Sequence, residues 1–145
     1  MAKDRVFLDS SVLIAALLSS RGGSFYILNQ WRGAFEFLIN DYIFEETMGV
    51  LNEKFIGRED LKDKLFLLMG LTPIKILKSP RSDELKILTN IINKKDAPIL
   101  VSALKYSSYF LTLDNDFFTE PVAKFSKKKG LFILKPREFI QKIRK

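Results

Sequence analysis

The sequence of 145 residues contains no cysteine and no histidine. The first absence excludes a disulfide framework and a thiolate metal site, and the second removes the usual zinc ligand and the usual general base. Long apolar runs are also missing, since stretches such as Val12–Leu18 and Phe35–Ile39 fall far short of the roughly 20 residues of a membrane-spanning helix. Any catalysis must therefore depend on carboxylates, hydroxyls, lysine or arginine.

A charged-then-apolar leader is lacking as well, because the first five residues run directly into a strand-like segment. We therefore expect a protein of the cytoplasm that does not enter a membrane. With 47% hydrophobic residues, the chain is long enough to bury one core and too short for two ordinary domains. Residues 1–145 are predicted to form a single domain.

The net charge of +7 is concentrated near the C-terminus. From Pro121 to Lys145, 9 Lys/Arg residues face Glu138 alone, whereas the rest of the chain carries 15 basic and 16 acidic residues. Lys and Arg bind nucleic acid by releasing its counterions, which makes Lys127, Lys128 and Lys129 candidates for binding a phosphate backbone. A solvated, solubilising terminus explains the same composition, so the charge alone leaves both interpretations open.

Short β-rich runs alternate with longer helical segments, a pattern that predicts an α/β fold with a mainly parallel sheet of four to five strands. Strands are predicted at Val6–Leu8, Phe35–Ile39, Ile74–Leu77, Tyr109–Leu113 and Leu131–Leu134. Helices are predicted at Ser11–Leu18, at Ser24–Trp31, from Asn40 or Asp41 to about Phe55, at Glu59–Met69, from Ser82 or Asp83 towards Ile92, from Asp96 to about Tyr106 and from Pro136 onward.

Two acidic residues directly follow predicted strands. Asp9 comes after Val6–Leu8, and Asp114 comes after Tyr109–Leu113. In one parallel sheet the carboxyl ends of the strands share an edge, where open α/β sheets bind their ligands, so the two acids are expected to lie close together. Taken singly, each is also explained as a turn former or a helix N-cap.

Two further acids have similar double interpretations. Asp96 precedes Ala97-Pro98, which makes it a natural N-cap, and it is also aligned with the buried face of the following helix. Asp116 lies two residues after Asp114, and such a pair can offer two oxygens to one hard cation or simply form a turn.

Glu46 belongs to the helix predicted after the second strand. An apolar stripe at helical spacing is expected to face the core: Phe44, Met48, Leu51 and Phe55. Glu46 points nearly opposite this stripe, beside Ile43, Gly49 and Val50, so the helix is expected to be covered on two sides. Glu46 is then expected at a partly dry surface, where the glycine permits a close approach. A solvated pair with Glu45 is the alternative.

The order of these segments resembles the PIN-domain family. Val6–Ile14 looks like its first motif, an apolar strand ending in Asp, and Glu46–Leu51 is similar to its helical Glu segment. Lys95–Ala103 and Phe110–Phe117 resemble its third and fourth acidic motifs, and Gly130–Pro136 its closing strand and proline. Within the family, the likeness is to compact VapC-type toxins of toxin–antitoxin pairs.

The resemblance implies a three-layer α/β/α sandwich and a Mg²⁺- or Mn²⁺-dependent endoribonuclease, commonly dimeric and often held inactive by an antitoxin protein. Crowded carboxylates need a compensating cation, and an all-carboxylate ligand set suits hard Mg²⁺ or Mn²⁺. We expect Asp9, Asp96 and Asp114 to hold the principal ion. Glu46 and Asp116 complete its shell or hold a second ion.

Ser10, Ser11 and Thr112 lie beside the predicted acids, and we interpret their hydroxyls as local caps. An aspartyl-phosphate mechanism is disfavoured because its haloacid-dehalogenase-like signature needs an acid where this chain has Ser11. The serious alternative is a catalytically inactive PIN-like scaffold that binds RNA or a protein partner.

Overall fold

The β-branched and aromatic runs of the sequence form five short strands in the computed structural model, which describes residues 2–144. The strands are β1 Arg5–Leu8, β2 Glu36–Asn40, β3 Lys75–Leu77, β4 Tyr109–Leu111 and β5 Phe132–Leu134. The α-helices are α1 Ser10–Leu18, α2 Gly23–Gln30, α3 Asp41–Lys54, α4 Glu59–Leu71, α5 Ala97–Tyr106, α6 Glu120–Lys128 and α7 Pro136–Arg144. Two 3₁₀ helices cover Ser82–Leu88 and Asn115–Phe118.

The five strands form one sheet in the order β3-β2-β1-β4-β5, and every neighbouring pair is parallel. Central strands of such sheets are covered on both faces, so they consist of apolar residues without alternation. β1 follows this rule, because Val6, Phe7 and Leu8 are all fully buried. The predicted parallel sheet of four to five strands is therefore confirmed.

Helices cover both faces of this sheet. Right-handed crossovers from β1 to β2 and from β2 to β3 place α1–α4 on one face, and the return through β4 and β5 places α5 and α6 on the other. α1 contacts α2, α3 and α4, whereas α5 packs against β1, and the last helix, α7, packs against α2 and β5. The result is the expected three-layer α/β/α arrangement.

The winding direction reverses at β1, because β2 and β3 lie on one side of it and β4 and β5 on the other. Open α/β sheets bind ligands at the carboxyl ends of the strands that flank such a reversal. Here those strands are β1 and β4. Their register pairs Leu8 with Leu111, which brings the residues that follow both strands to the same crevice.

Two predicted elements end earlier in the structure than expected, and one helix was not predicted. The helix predicted over Ser82–Ile92 is a 3₁₀ helix that ends at Leu88, because the Thr89 hydroxyl donates to the Lys86 carbonyl and competes with helix continuation. Strand β4 ends at Leu111, before the predicted Leu113. The amphipathic helix α6 was not predicted, although its buried Val122 and Ser126 share one face at i, i+4 spacing.

Within the described part of the chain, no single helix is long and apolar enough to cross a membrane. α1 and α2 meet the requirement of length and composition only as a pair, and that pair is bent by 94°. Their apolar side chains belong to the core, where Val12, Leu13, Ile27 and Leu28 are fully buried.

Candidate active site

Asp9 follows β1 and is almost fully buried, with 3% of its surface exposed. Its Oδ2 accepts hydrogen bonds from Ser11 Oγ at 2.8 Å and from Thr112 Oγ1 at 2.7 Å. Burial raises the pKa of Asp9 to about 6, the two hydroxyl bonds oppose this rise, and the charge of Glu46 adds to it. Although Asp9 occupies the N-cap position of α1, its side chain makes no capping bond.

Asp96, Asp114 and Asp116 form a close acidic cluster. Each offers one carboxylate oxygen, and these oxygens all lie within 4.8 Å of one another. Asp96 is buried, Asp114 is half-buried and Asp116 is exposed, so the cluster opens to solvent on one side. Asp114 Oδ1 also accepts a hydrogen bond from the Asp116 amide at 3.0 Å, which keeps the last two acids together.

Asn93 holds Asp96 from two sides. Asn93 Nδ2 donates to Asp96 Oδ2 at 2.8 Å, and the Asp96 amide donates to Asn93 Oδ1 at 2.9 Å. Burial raises the pKa of Asp96, and the charges of Asp114 and Asp116 raise it further, whereas the Asn93 bond lowers it. Asp96 occupies the N-cap position of α5 but its side chain makes no capping bond, so capping does not account for this carboxylate.

Two residues connect Asp9 and Glu46 with the acidic cluster. Thr112 Oγ1, which donates to Asp9, also accepts a hydrogen bond from the Asp114 amide at 3.0 Å. Tyr42 donates its hydroxyl to a main-chain carbonyl at 2.8 Å. Its pKa is raised by burial and by the charges of both Glu46 and Asp96, which therefore lie near the same ring. Hydrogen bonds and charge interactions thus connect all five predicted acids at the carboxyl edge of the sheet.

Glu46 is half-buried and accepts a hydrogen bond from Ser10 Oγ. The most buried face of α3 is formed by Ile43, Thr47 and Leu51. The predicted stripe is confirmed, because Phe44, Met48 and Phe55 pack with Leu51 against the buried Leu61 and Leu65 of α4. Glu46 lies about 100° from Thr47, on the side away from this stripe. The close approach expected at Gly49 is wrong, since a Cβ added there would meet nothing within 4 Å.

The hydroxyls beside the acids do more than cap local turns. Ser11 and Thr112 both donate to Asp9, and Ser10 donates to Glu46. Ser11 Oγ in addition accepts a hydrogen bond from the Leu113 amide at 3.0 Å, which ties the segment after β4 to the start of α1. These bonds fix the orientation of the two carboxylates.

The three candidate lysines are exposed but lie away from the acids. Lys127 and Lys128 end α6, Lys129 follows it, and the chain then enters β5 at the amino edge of the sheet. The acids occupy the opposite, carboxyl edge. Lys135, which directly follows β5, lies at that carboxyl edge, and its Nζ is 5.5 Å from the centroid of the Phe118 ring.

Sequence reasoning missed Lys135, Asn93 and Tyr42. The rule that identified Asp9, a polar residue directly after a strand, would also have identified Lys135. Asn93 precedes an N-cap position by three residues, a spacing that could have indicated its bond to Asp96. Nothing in the sequence around Tyr42 pointed to the acidic cluster.

None of the five acids forms an ion pair within residues 2–144, although the nearby charge of Lys95 lowers the pKa of Asp96. Carboxylates this close raise one another's pKa unless a cation compensates them. An oxygen-only ligand set suits a hard divalent ion such as Mg²⁺ or Mn²⁺. The residues present therefore fit a divalent cation between Asp96, Asp114 and Asp116.

Comparisons with known proteins agree with this fold. The family model of the PIN domain matches residues 6–120. A crystal structure of VapBC2 from Rickettsia felis, bound to a DNA fragment from its promoter, has a similar chain with a TM-score of 0.64 and 15% identity, covering 90% of this chain and 98% of that one. PAE2754 from Pyrobaculum aerophilum has a TM-score of 0.57 and 20% identity, covering 89% and 98%. At these identities the likeness shows the fold alone, and no curated protein sequence matched.

Proposed function

Because this chain belongs to the PIN-domain family, we propose that it is a divalent-metal-dependent endoribonuclease. The substrate is an RNA phosphodiester, and water is the attacking group. The observation that carries this proposal is the meeting of five carboxylates without ion-pair partners, from four separate parts of the chain, at the carboxyl edge of the parallel sheet. Such an arrangement destabilises the protein unless a cation binds, so it has a functional rather than a structural explanation.

Asp96, Asp114 and Asp116 hold the principal cation in this proposal. The expected set had Asp9 in place of Asp116, but the structure groups Asp116 with the other two and leaves Asp9 beside Glu46. Asp9 and Glu46 therefore line the other side of the crevice, where they bind a second ion or orient the attacking water. The buried Asp9 carboxylate, with its raised pKa, is suited to accept a proton from that water.

A bound Mg²⁺ or Mn²⁺ supplies Lewis-acid chemistry, polarising the phosphate and lowering the pKa of the attacking water. The chain supplies positioning. The hydroxyls of Ser11 and Thr112 hold Asp9 in one orientation, and Asn93 does the same for Asp96. The partly exposed Asp114 and the exposed Asp116 leave the open side of the crevice free for a phosphate.

The test is cleavage of a 5′-labelled single-stranded RNA by the purified chain with Mg²⁺, with Mn²⁺ or with EDTA. We expect cleavage only with a metal ion, and a loss of at least about a hundredfold in Asp114→Asn, because one ligand of the principal ion is removed. Asp63→Asn is the matched control, since it removes one exposed negative charge on α4 outside the site. A DNA strand of the same sequence is tested in parallel, because cleavage of both strands would indicate a general nuclease rather than a ribonuclease.

Cleavage that survives EDTA or Asp114→Asn would contradict the proposed site. RNA binding without cleavage in either metal would instead support the inactive scaffold. The salt dependence of RNA affinity locates the phosphate contacts. Each lysine that neutralises a phosphate adds about one released counterion to the slope of log affinity against log salt concentration. Replacing Lys127, Lys128 and Lys129 by Gln should lower that slope.

We further infer that the chain acts as a toxin with a protein antitoxin as its partner and forms a homodimer. The resemblance to VapC-type toxins supports this assignment. The surface also offers a place for a partner, because Leu67 and Leu71 of α4 are 62% and 56% exposed and line an apolar groove of about 350 Å³ with Phe25.

Light scattering tests the dimer against the 16.7 kDa of one chain. Co-purification with the product of a short neighbouring reading frame tests the antitoxin. Purified chain that stays monomeric would contradict the dimer, and a frame product that neither binds the chain nor inhibits its cleavage would contradict that antitoxin assignment.

A further inference from the structure

A second concave surface lies next to the acidic cluster, between the 3₁₀ helix Asn115–Phe118, α6 and β5. This groove has a volume of about 430 Å³, within the range of about 300–1,000 Å³ that is usual for small-molecule sites. Phe117, Phe118 and Leu131 give it an apolar lining, and the consecutive residues 130–134 form one wall.

A buried hydroxyl in this groove lacks a partner. Ser126 lines the groove with 2% of its surface exposed, and its Oγ has no hydrogen-bond partner among residues 2–144. Buried polar atoms of this kind are rare, because leaving one unsatisfied costs free energy. A ligand that reaches the Ser126 hydroxyl would satisfy it.

The groove wall also offers a backbone donor and acceptor. The Phe132 amide donates to the Ser108 carbonyl at 3.0 Å, and the Leu134 carbonyl accepts from the Thr112 amide at 3.2 Å, so both residues face β4. Backbone groups alternate in direction along a strand, and therefore the N–H and C=O of Ile133 point away from β4. β5 is the outer strand of the described sheet, so no neighbouring strand pairs with them.

Positive charge lies at both ends of the groove. Lys135 Nζ is 5.5 Å from the Phe118 centroid at the end nearest the acids, and Lys127 is part of the lining towards the other end. Phe118 and Asp116 belong to the same 3₁₀ helix, so the groove and the acidic cluster share this element. The charge of the groove complements a polyanion that extends from that cluster.

We propose that this groove binds one nucleobase of the RNA near the scissile phosphate, with the adjoining phosphates on Lys135 and Lys127. The inference rests on the proposed function and adds a determinant of sequence preference to it. A base has a flat face for the apolar, aromatic lining and an edge that needs a donor and an acceptor, and these are what Phe118, Ile133 and Ser126 offer.

The test measures binding without cleavage, in protein that carries Asp114→Asn. Fluorescein-labelled homo-octamers of A, C, G and U are titrated by fluorescence anisotropy. We expect one base to bind several-fold more tightly than the others. Ala123→Met fills the groove from an exposed position of α6. It should weaken the binding of that octamer by on the order of tenfold and reduce the differences in affinity between the four octamers.

Ala34→Met is the matched control, because it adds the same side chain at an exposed residue at the amino edge of the sheet. Ser126→Ala is a second probe. It removes an unpartnered hydroxyl, so the melting temperature should stay equal or rise, while the preference between bases narrows. A purely structural serine would lower the melting temperature and leave the preference unchanged.

Equal RNA affinity and equal base preference in Ala123→Met and its parent would overturn the base-binding groove. The proposal would also be overturned if a groove variant kept its RNA binding but lost the binding of an acidic, leucine-containing peptide. That result would assign the surface to a protein partner. These outcomes differ from failure of the nuclease proposal, in which the unmodified chain cleaves no RNA with either metal while groove-dependent RNA binding persists.

Discussion

Replacing Asp9 with Asn should stabilise the metal-free protein while abolishing its activity. Burial raises the pKa of Asp9 from 3.8 to about 6, so the folded state binds this proton more tightly than the unfolded state does. The contribution of Asp9 to the free energy of unfolding is therefore fully present below pH 4, and it is lost as the pH rises towards 6 and above. At about 1.36 kcal/mol per pKa unit, the loss at pH 8 is about 3 kcal/mol.

Asn keeps an oxygen that can accept the hydroxyls of Ser11 and Thr112, but it carries no charge. The free energy of unfolding of the variant should therefore exceed that of the native chain by up to about 3 kcal/mol at pH 8 and match it near pH 4. For a chain of this size, that difference corresponds to a rise in melting temperature of about 6–12 °C. Urea unfolding in EDTA, measured from pH 4 to pH 8, gives the free energies directly, with Asp63→Asn as the exposed control.

Divalent metal supplies the second half of this experiment. Millimolar Mn²⁺ at pH 8 should stabilise the native chain more than Asp9→Asn, because only the former gains compensation of the Asp9 charge. Equal unfolding midpoints of the two proteins at pH 8 in EDTA would refute the reasoning. An advantage of the variant that grows towards pH 4 would refute it as well, because that slope has the opposite sign.

Three further predictions concern single side chains. Glu46→Gln should lower RNA cleavage at least tenfold, whereas Glu45→Gln, an exposed neighbour on the same helix, should leave the rate within about twofold. Asn93→Ala should raise the pKa of Asp96 and increase the Mn²⁺ concentration needed for half-maximal activity several-fold, and an unchanged metal titration would contradict that positioning role. Phe139→Ala should cost about 3–5 kcal/mol of unfolding free energy, because this fully buried ring contacts several aromatic neighbours; a loss under 1 kcal/mol would show that the packing is not as described.

The strand-end acids were predictable because local sequence encodes both the strand and its end. Val6–Leu8 is apolar without alternation, which indicates a strand covered on both faces, and the polar Asp9 then marks where that coverage stops. The same logic applies to Asp114. Since parallel strands share their carboxyl edge, the sequence supported the meeting of these two acids without any coordinates.

Positions within helices were less predictable. The stripe through Phe44 and Met48 correctly indicated a buried face of α3, which packs against α4, but the stripe itself did not indicate that Thr47 is buried beside it. The position of Glu46 next to the buried face depends on how α3 lies on the sheet. No periodicity within the helix itself contains that information.

The sequence by itself determined the α/β class, the parallel sheet and the place of Asp9 and Asp114 at its carboxyl edge, because burial period and strand ends are local properties of the chain. Only the tertiary structure decided that Asp116 shares the cluster with Asp96 and Asp114, that Lys135 lies at the acidic edge while Lys127 lies towards the opposite edge, and that a groove with an unpartnered Ser126 adjoins them. These relations depend on strand order and on turns between distant segments, since side chains far apart along the chain meet only where the backbone packing brings them together.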